Sequence, residues 1–401
     1  MLRNFLTLGA GETASKAIHV AAFLILARVL GKETFGQFGL AVSITSYLLI
    51  LVQQGFDTVA TREVSRNPEK LEWFARNIFG LRLVLAAAAA VVIGALAAAP
   101  GLEETGPLLL VLSITYATNA LTPRWSFLAI EHSRPLAWAG LVSQLCFLAG
   151  ALLIRSPSEV VWVAAAQVIG EAAAASYLWL MLARRTGQLA PHLDRGFCKW
   201  LFRQSWPISV SLLLGNMMYN FDIVALGWFG RHDQVGLYLA CYRCVTVFTP
   251  LMGALQLSIL PTFAKEYPHF DRIRARVRNL SVVVGTVLGL TALILTVLSE
   301  QVLILLFGVE FSDGGRILQF VAWSLPLQGL RGILRQVLMA FHQQHIAARN
   351  LAIGVVTNVI GNLALTPKWG PIGCAVSTVV SEFVFWAACR WSVMEIQRTQ
   401  R

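Results

Sequence analysis

The sequence predicts an all-α polytopic membrane protein, with about 12 transmembrane helices in two parallel-repeat six-helix lobes around a central cavity. Three observations carry this. Apolar runs of about 20 residues, the helix length that matches the bilayer hydrocarbon, recur through the 401-residue chain. Hydrophobic residues make up 56% and charged residues only 13%, against about 25% charged in soluble domains. A short motif after the first apolar run returns half a chain later. The surface must face something other than water, which excludes a soluble enzyme.

The predicted spans are 9–30, 36–56, 77–99, 106–130, 136–154 and 159–183, then 204–229, 235–262, 279–299, 315–341, 346–365 and 372–394. The first follows Met1-Leu2-Arg3-Asn4 without a small-residue cleavage signal and reads as a retained helix. Span 3 carries the stretch Ala86–Ala90, whose small side chains suit close helix packing. Pro123 in span 4, Pro207 in span 7, Pro250 and Pro261 in span 8 and Pro326 in span 10 each remove a backbone donor and can bend a helix. The connections 57–76 and 263–278 mix charged and apolar residues and read as helices on the membrane surface. The loop near Glu300–Gly314 is partly apolar, and none of the loops is long enough for a soluble catalytic domain.

Loop charge sets the orientation. The N-terminus, the even-numbered connections and the C-terminus carry the dense clusters Arg62 to Arg76, Arg184 to Arg203 and Lys265 to Arg278. The opposite loops hold only Lys32, Arg155, Arg231, Arg316 and Lys368. The positive-inside rule places the richer side, and both termini, in the cytoplasm. The same rule accounts for the net charge of +11 without nucleic acid. Trp73, Trp200, Trp206, Trp228, Trp369 and Trp391 fall near span ends, as interfacial anchors should.

The repeat pairs Leu30-Gly31-Lys32 with Phe229-Gly230-Arg231, Gly36 with Gly236, and Phe38 with Tyr238. Both copies follow the first span of a six-span half. Six is even, so the halves enter from the same side and are parallel repeats. The expected lobes are 1–190 and 191–401, joined by a basic linker with Gly187, Pro191 and Gly196. Two such lobes suit alternating access to a cavity.

A charge at mid-membrane costs roughly 2.5–3.5 kcal/mol on insertion scales, so each needs a partner or a wet surface. Lys16, Arg124, Arg243, Arg331, Arg335 and Arg349 are cations placed within predicted spans. The first five form the expected cationic cavity, because arginine forks match phosphate oxygens. Glu12, Glu171, Asp222 and Glu382 are the carboxylates and the candidates for ion coupling. Some charges have local alternatives. Glu12 and Lys16 are spaced i,i+4 for an ion pair, and Asp222 lies at a depth similar to Arg243. Glu171 and Glu382 have no evident cation. Arg331 and Arg335 are like charges at i,i+4 and either share an anion or reach the interface.

No nucleotide-binding, zinc-protease or nucleophile-elbow motif is present, and no cofactor or metal site is expected. Cys241-x-x-Cys244 lies inside a span without a second pair, and His342 and His345 sit at a turn.

The segments Arg28–Ala41 and Gly55–Glu63 resemble the first signatures of bacterial oligosaccharide (O-antigen or polysaccharide) flippases of the multidrug/oligosaccharidyl-lipid/polysaccharide exporter superfamily. Tyr219-Asn220-Phe221-Asp222, Val235-Gly236-Leu237-Tyr238 and Leu260-Pro261 are similar to that family's second-half pattern. The resemblance implies two six-helix lobes and transfer of undecaprenyl-diphosphate-linked oligosaccharide between leaflets. Its implied partners are that lipid-linked oligosaccharide, membrane lipids and polysaccharide assembly proteins. The rivals are a drug or cation antiporter of the same superfamily, and a membrane glycan polymerase or ligase. The first needs an acidic cavity and the second a large outer loop.

Overall fold

A computed structural model describes residues 2–187, 189–229, 232–266 and 270–399. Gly230 and Arg231 of the repeat, and residues 267–269 of the surface connection, lie outside the described residues. The chain forms two compact units, residues 1–213 and 214–401.

The first unit contains α1 (Leu2–Gln53), α2 (Phe56–Arg66), α3 (Leu71–Ala97), α4 (Gly106–Ala120), α5 (Arg124–Ala129), α6 (Arg134–Leu153), α7 (Val160–Thr186) and the opening turns of α8 (Arg195–Phe229). The second contains the rest of α8, then α9 (His232–Thr246), α10 (Thr249–Glu266), α11 (Phe270–Val297), α12 (Ser299–Phe307), α13 (Gly315–Val321), α14 (Ser324–Ala340), α15 (Gln344–Trp369) and α16 (Pro371–Thr399). The division falls inside α8, whereas the compositional linker lies before it.

Among the described residues, nine helical stretches are long and apolar enough to cross a membrane. One of them, Gly9–Arg66, holds two spans, because Gly31 breaks α1 with φ 67° and ψ 172°. Only glycine adopts that backbone without strain, so the first signature marks a tight turn. The pairs α4–α5 and α13–α14 supply the remaining two of the twelve predicted spans. Proline explains several irregularities. Pro123 stands between α4 and α5, while Pro250 and Pro326 sit in the first turns of α10 and α14, where a missing donor is tolerated. Pro207 and Pro261 lie inside α8 and α10.

The segment after span 2 differs from the surface helix expected of it. Gln54 and Gly55 both turn left-handed, with φ 46° and 64°, and α2 then packs on α5. Its Phe56, Val59, Ala60 and Val64 are buried in protein, in a cluster that includes Trp125, Phe127, Leu178 and Leu201. In the first unit α6 packs on both α1 and α7, and α4 packs on α3 and α7. In the second, α16 packs on α14 and α15, and α14 also packs on α10 and α11. Large apolar side chains such as Val91, Leu153, Trp162 and Leu257 point outward, as a bilayer permits. The six anchoring tryptophans are all exposed.

Candidate functional site

The second unit encloses a polar network around Asp222 of α8. Asp222 is buried, and its carboxylate accepts four hydrogen bonds from three other helices. Tyr238 Oη (2.6 Å) and Thr378 Oγ1 (2.5 Å) donate to Oδ2. Asn362 Nδ2 (2.6 Å) and Asn358 Nδ2 (3.0 Å) donate to Oδ1. Helical spacing makes this possible, because Asn358, Asn362 and Thr366 recur every four residues and present one face of α15. Thr366 continues the chain to Asn362 Oδ1 at 3.2 Å. Among the described residues the groups that hold Asp222 are neutral, whereas the sequence offers Arg243 for that role.

One turn along α16 from Thr378, Glu382 meets Arg331 of α14. The Arg331 fork reaches both carboxylate oxygens, through Nε to Oε2 and through Nη2 to Oε1 at 3.2 Å. Nη2 also donates to Tyr219 Oη at 3.2 Å, and the guanidinium lies 4.6 Å from the Phe385 ring centroid. Both charged partners are buried. Glu382 therefore has a cation that its sequence neighbours do not reveal. Arg335 lies exposed one turn further along α14. Arg243 is half-buried, and Arg349 is exposed with Nη2 3.4 Å from Ser392 Oγ.

The first unit arranges its charges differently. Glu12 pairs with Arg124 at the start of α5 rather than with Lys16, and both partners are about half exposed. Lys16 is exposed one turn along α1. Glu171 of α7 accepts from Gln167 Nε2 at 3.2 Å and from Thr118 and Asn119 of α4 at 3.4 Å. Asn119 Oδ1 accepts from Gln53 Nε2 at 3.1 Å. Beside Gln53 lies a charge the span-by-span reading missed. Arg82 of α3 is buried, donates to Asp57 Oδ1 at 2.8 Å and to Gln53 O at 3.4 Å, and stands 5.9 Å from the Phe56 ring centroid.

The predicted residues thus fall into exposed and buried sets. Lys16, Glu12, Arg124 and Arg335 present charge at the surface of a unit. Asp222, Glu382 and Arg331 are buried in the second unit, the Glu382–Arg331 pair lying one turn along α16 from Asp222's partner Thr378. Tyr238, which the repeat and the second-half signature marked, is neutral, as are Asn358, Asn362 and Thr378, which carried no sequence signature. The signal that finds them is a polar i,i+4 repeat in an otherwise apolar span.

The sequence matches the polysaccharide biosynthesis protein family over residues 1–266. The chain belongs to that family. It is 28% identical over 177 residues to the probable low-salt glycan biosynthesis flippase Agl15 of Haloferax volcanii, a match covering 43% of this chain and 37% of that protein. The chain spans a little over a third of the length of the curated relatives it matches. Its fold is similar to the lipid II flippase MurJ in an inward closed conformation, with a TM-score of 0.77 at 12% identity over 97% of this chain and 87% of that one. It is also similar to an inward-facing multidrug resistance MATE family transporter of the MOP superfamily, with a TM-score of 0.73 at 14% identity over 96% of each chain. These identities speak to fold alone. Family and fold agree with the signatures at Arg28–Ala41 and Gly55–Glu63 and with the all-helical, twelve-span reading.

Proposed function

We propose that this family member is a flippase that moves an undecaprenyl-diphosphate-linked oligosaccharide from the inner to the outer leaflet by alternating access. It makes and breaks no bonds. One observation carries the reading: cations stand exposed on otherwise apolar membrane helices, at Lys16 and Arg335, and at Arg124 beside its partner Glu12. Such side chains need water or an anion beside them. A glycan headgroup presents both problems, because its hydroxyls cost roughly 4–8 kcal/mol each to strip of water against cyclohexane. Its diphosphate complements ammonium and guanidinium donors. The same cations disfavour a cationic drug as cargo. The glycan-flippase name of the Haloferax relative supports the reading.

In this reading Lys16, Arg124, Arg243, Arg331 and Arg335 are the cations that serve the diphosphate. The functional lobes are residues 1–190 and 191–401. Ion coupling belongs to the carboxylates, foremost Asp222, with Glu12, Glu171 and Glu382 as the further candidates. The protein sits in the inner membrane of a bacterium, with both termini cytoplasmic, next to the polysaccharide assembly proteins that supply and consume its cargo.

The test is glycan export in cells lacking their own flippase. Lys16→Ala with Arg335→Ala should lower surface glycan at least about tenfold, the worth of one charge-assisted contact, at normal protein levels. Lipid-linked oligosaccharide should accumulate on the inner side. Undiminished export by the double variant would overturn the assignment.

A further inference from the structure

The first unit holds a hollow of about 570 Å³ between α4 and α7, which the transport reading does not use. That volume is within the range of roughly 300–1,000 Å³ typical of ligand sites. Its walls include Leu121 just past α4, Ala172, Ser176 and Leu180 of α7, and Leu189 and Pro191 of the segment that follows α7. Small side chains on α7 create the space. Thr118 also lines it, but its hydroxyl is engaged by Thr115 O at 3.0 Å. The wall is therefore mostly apolar.

The segment carrying Leu189 and Pro191 is tied to α3 by three hydrogen bonds. Arg76 Nε donates to Ala190 O (3.1 Å), His192 N to Arg76 O (3.0 Å) and Asp194 N to Asn77 Oδ1 (2.8 Å). Asp194 then accepts from Phe197 N at 2.7 Å, which starts α8.

Two observations identify the occupant. Leu110 and Ile114 of α4 and Ile169 and Leu180 of α7 are all more than half exposed, so the flank faces hydrocarbon and its ligand arrives from the bilayer. The stripe Ala172–Ser176–Leu180, spaced four residues apart, continues one turn later to exposed Arg184. Arg185 and Arg134 lie nearby. Burial, with Arg185 and Arg134 beside it, holds the His132 imidazole below its ordinary value. These turns hold three arginines and one acid, Glu131. An apolar slot that ends at a basic cluster complements a molecule with a hydrocarbon tail and an anionic head.

We propose that the α4–α7 hollow binds an anionic glycerophospholipid, one acyl chain lying along Ala172 and Leu180 and the phosphate set against Arg184. Phospholipid is the occupant, rather than the glycan carrier, because the hollow opens on the lipid-exposed flank and phospholipid is the bulk component there. The bound lipid would fasten α4, α7 and the strap that follows them.

The full chain, purified in mild detergent and studied by native mass spectrometry, tests this with dioleoylphosphatidylglycerol and dioleoylphosphatidylcholine as probes. One phosphatidylglycerol per chain should be retained in preference to phosphatidylcholine. Arg184→Glu should weaken that retention by about fivefold or more, the worth of one interfacial arginine. Ala172→Phe should abolish it by filling the slot. Ser176→Phe, at an exposed position, fills the same slot and should act likewise should Ala172→Phe fail to fold. Equal retention of both lipids would overturn the proposal, as would phosphatidylglycerol bound undiminished by the folded filled variants. Displacement by an equimolar polyprenyl monophosphate would reassign the hollow to the carrier lipid. None of these readouts depends on glycan export, so they stand or fall apart from the flippase reading.

Discussion

Arg331 grips Glu382 with both arms of its guanidinium inside the second unit, and Tyr219 and Phe385 complete the enclosure. Removing one partner of such a pair strands the other charge in a dry site, at a cost of about 3–5 kcal/mol. Arg331→Ala should therefore lower the melting temperature and the membrane yield of the protein. Arg331→Leu combined with Glu382→Leu should recover most of that loss, because a packed apolar pair is often neutral. Melting curves in detergent decide it, and a double variant no more stable than Arg331→Ala would remove the ion pair as the cause. The same geometry makes Arg335, not Arg331, the cleaner substitution in an export assay.

Asp222 should matter to energetics more than to folding. Asp222→Asn keeps the shape, and the surrounding Tyr238 and Thr378 hydroxyls can turn to accept from an amide. Elution and yield should stay near wild type. Export should lose its response to an imposed cation or proton gradient, falling about tenfold when a gradient drives it, the effect of roughly one lost charge-assisted interaction. If the variant answers the gradient as the wild type does, coupling lies elsewhere.

Gly55 has no room for a side chain. Its φ is 64°, and a Cβ there would approach Ile208 Cγ2 to 2.7 Å. Gly55→Ala should cost at least about 1–2 kcal/mol from backbone handedness alone, with the steric contact adding to it. Gly94→Ala, in open space within α3, is the control and should be neutral or slightly stabilising. Comparable melting temperatures for the two variants would contradict the turn assignment.

Asp57 keeps the buried Arg82 company at 2.8 Å, yet its own side chain is 39% exposed. Asp57→Ala should destabilise by about 3 kcal/mol, the lower end for a broken buried pair, because water can approach the vacated side. Arg82→Met should be milder, since it removes the charge that needs compensation. The order of the two melting temperatures checks the prediction, and the reverse order would count against it.

Much of the architecture was legible in the sequence, because a bilayer imposes a length and a polarity on every span. The Leu30–Gly31 signature announced a turn, and the spans with Pro123, Pro250 and Pro326 did break into shorter helices. Charge partners were harder to read. Glu382 and Arg331 are 51 residues apart, and Glu12 and Arg124 are 112 apart, so their pairing depends on how helices pack. Glu12 had a nearer candidate in Lys16, and the local rule chose wrongly because α5 brings an arginine to the same place. Arg82 escaped notice because it sits near the start of a long apolar run. Asn358, Asn362 and Thr378 escaped because only formally charged residues were weighed, although a buried carboxylate is held as well by neutral donors.

Residues 195–213 of α8 pack with the first unit. Ser209 Oγ donates to Gln54 O at 2.6 Å, Phe202 meets Phe56 edge-on, and the helix then continues unbroken to Asp222. A gene cut at the glycine- and proline-bearing stretch near residue 190 would leave Phe56 bare on one polypeptide and its cover on the other. The two parts would not be freestanding bricks, and a two-chain version of this protein would have to rebuild that contact at every encounter.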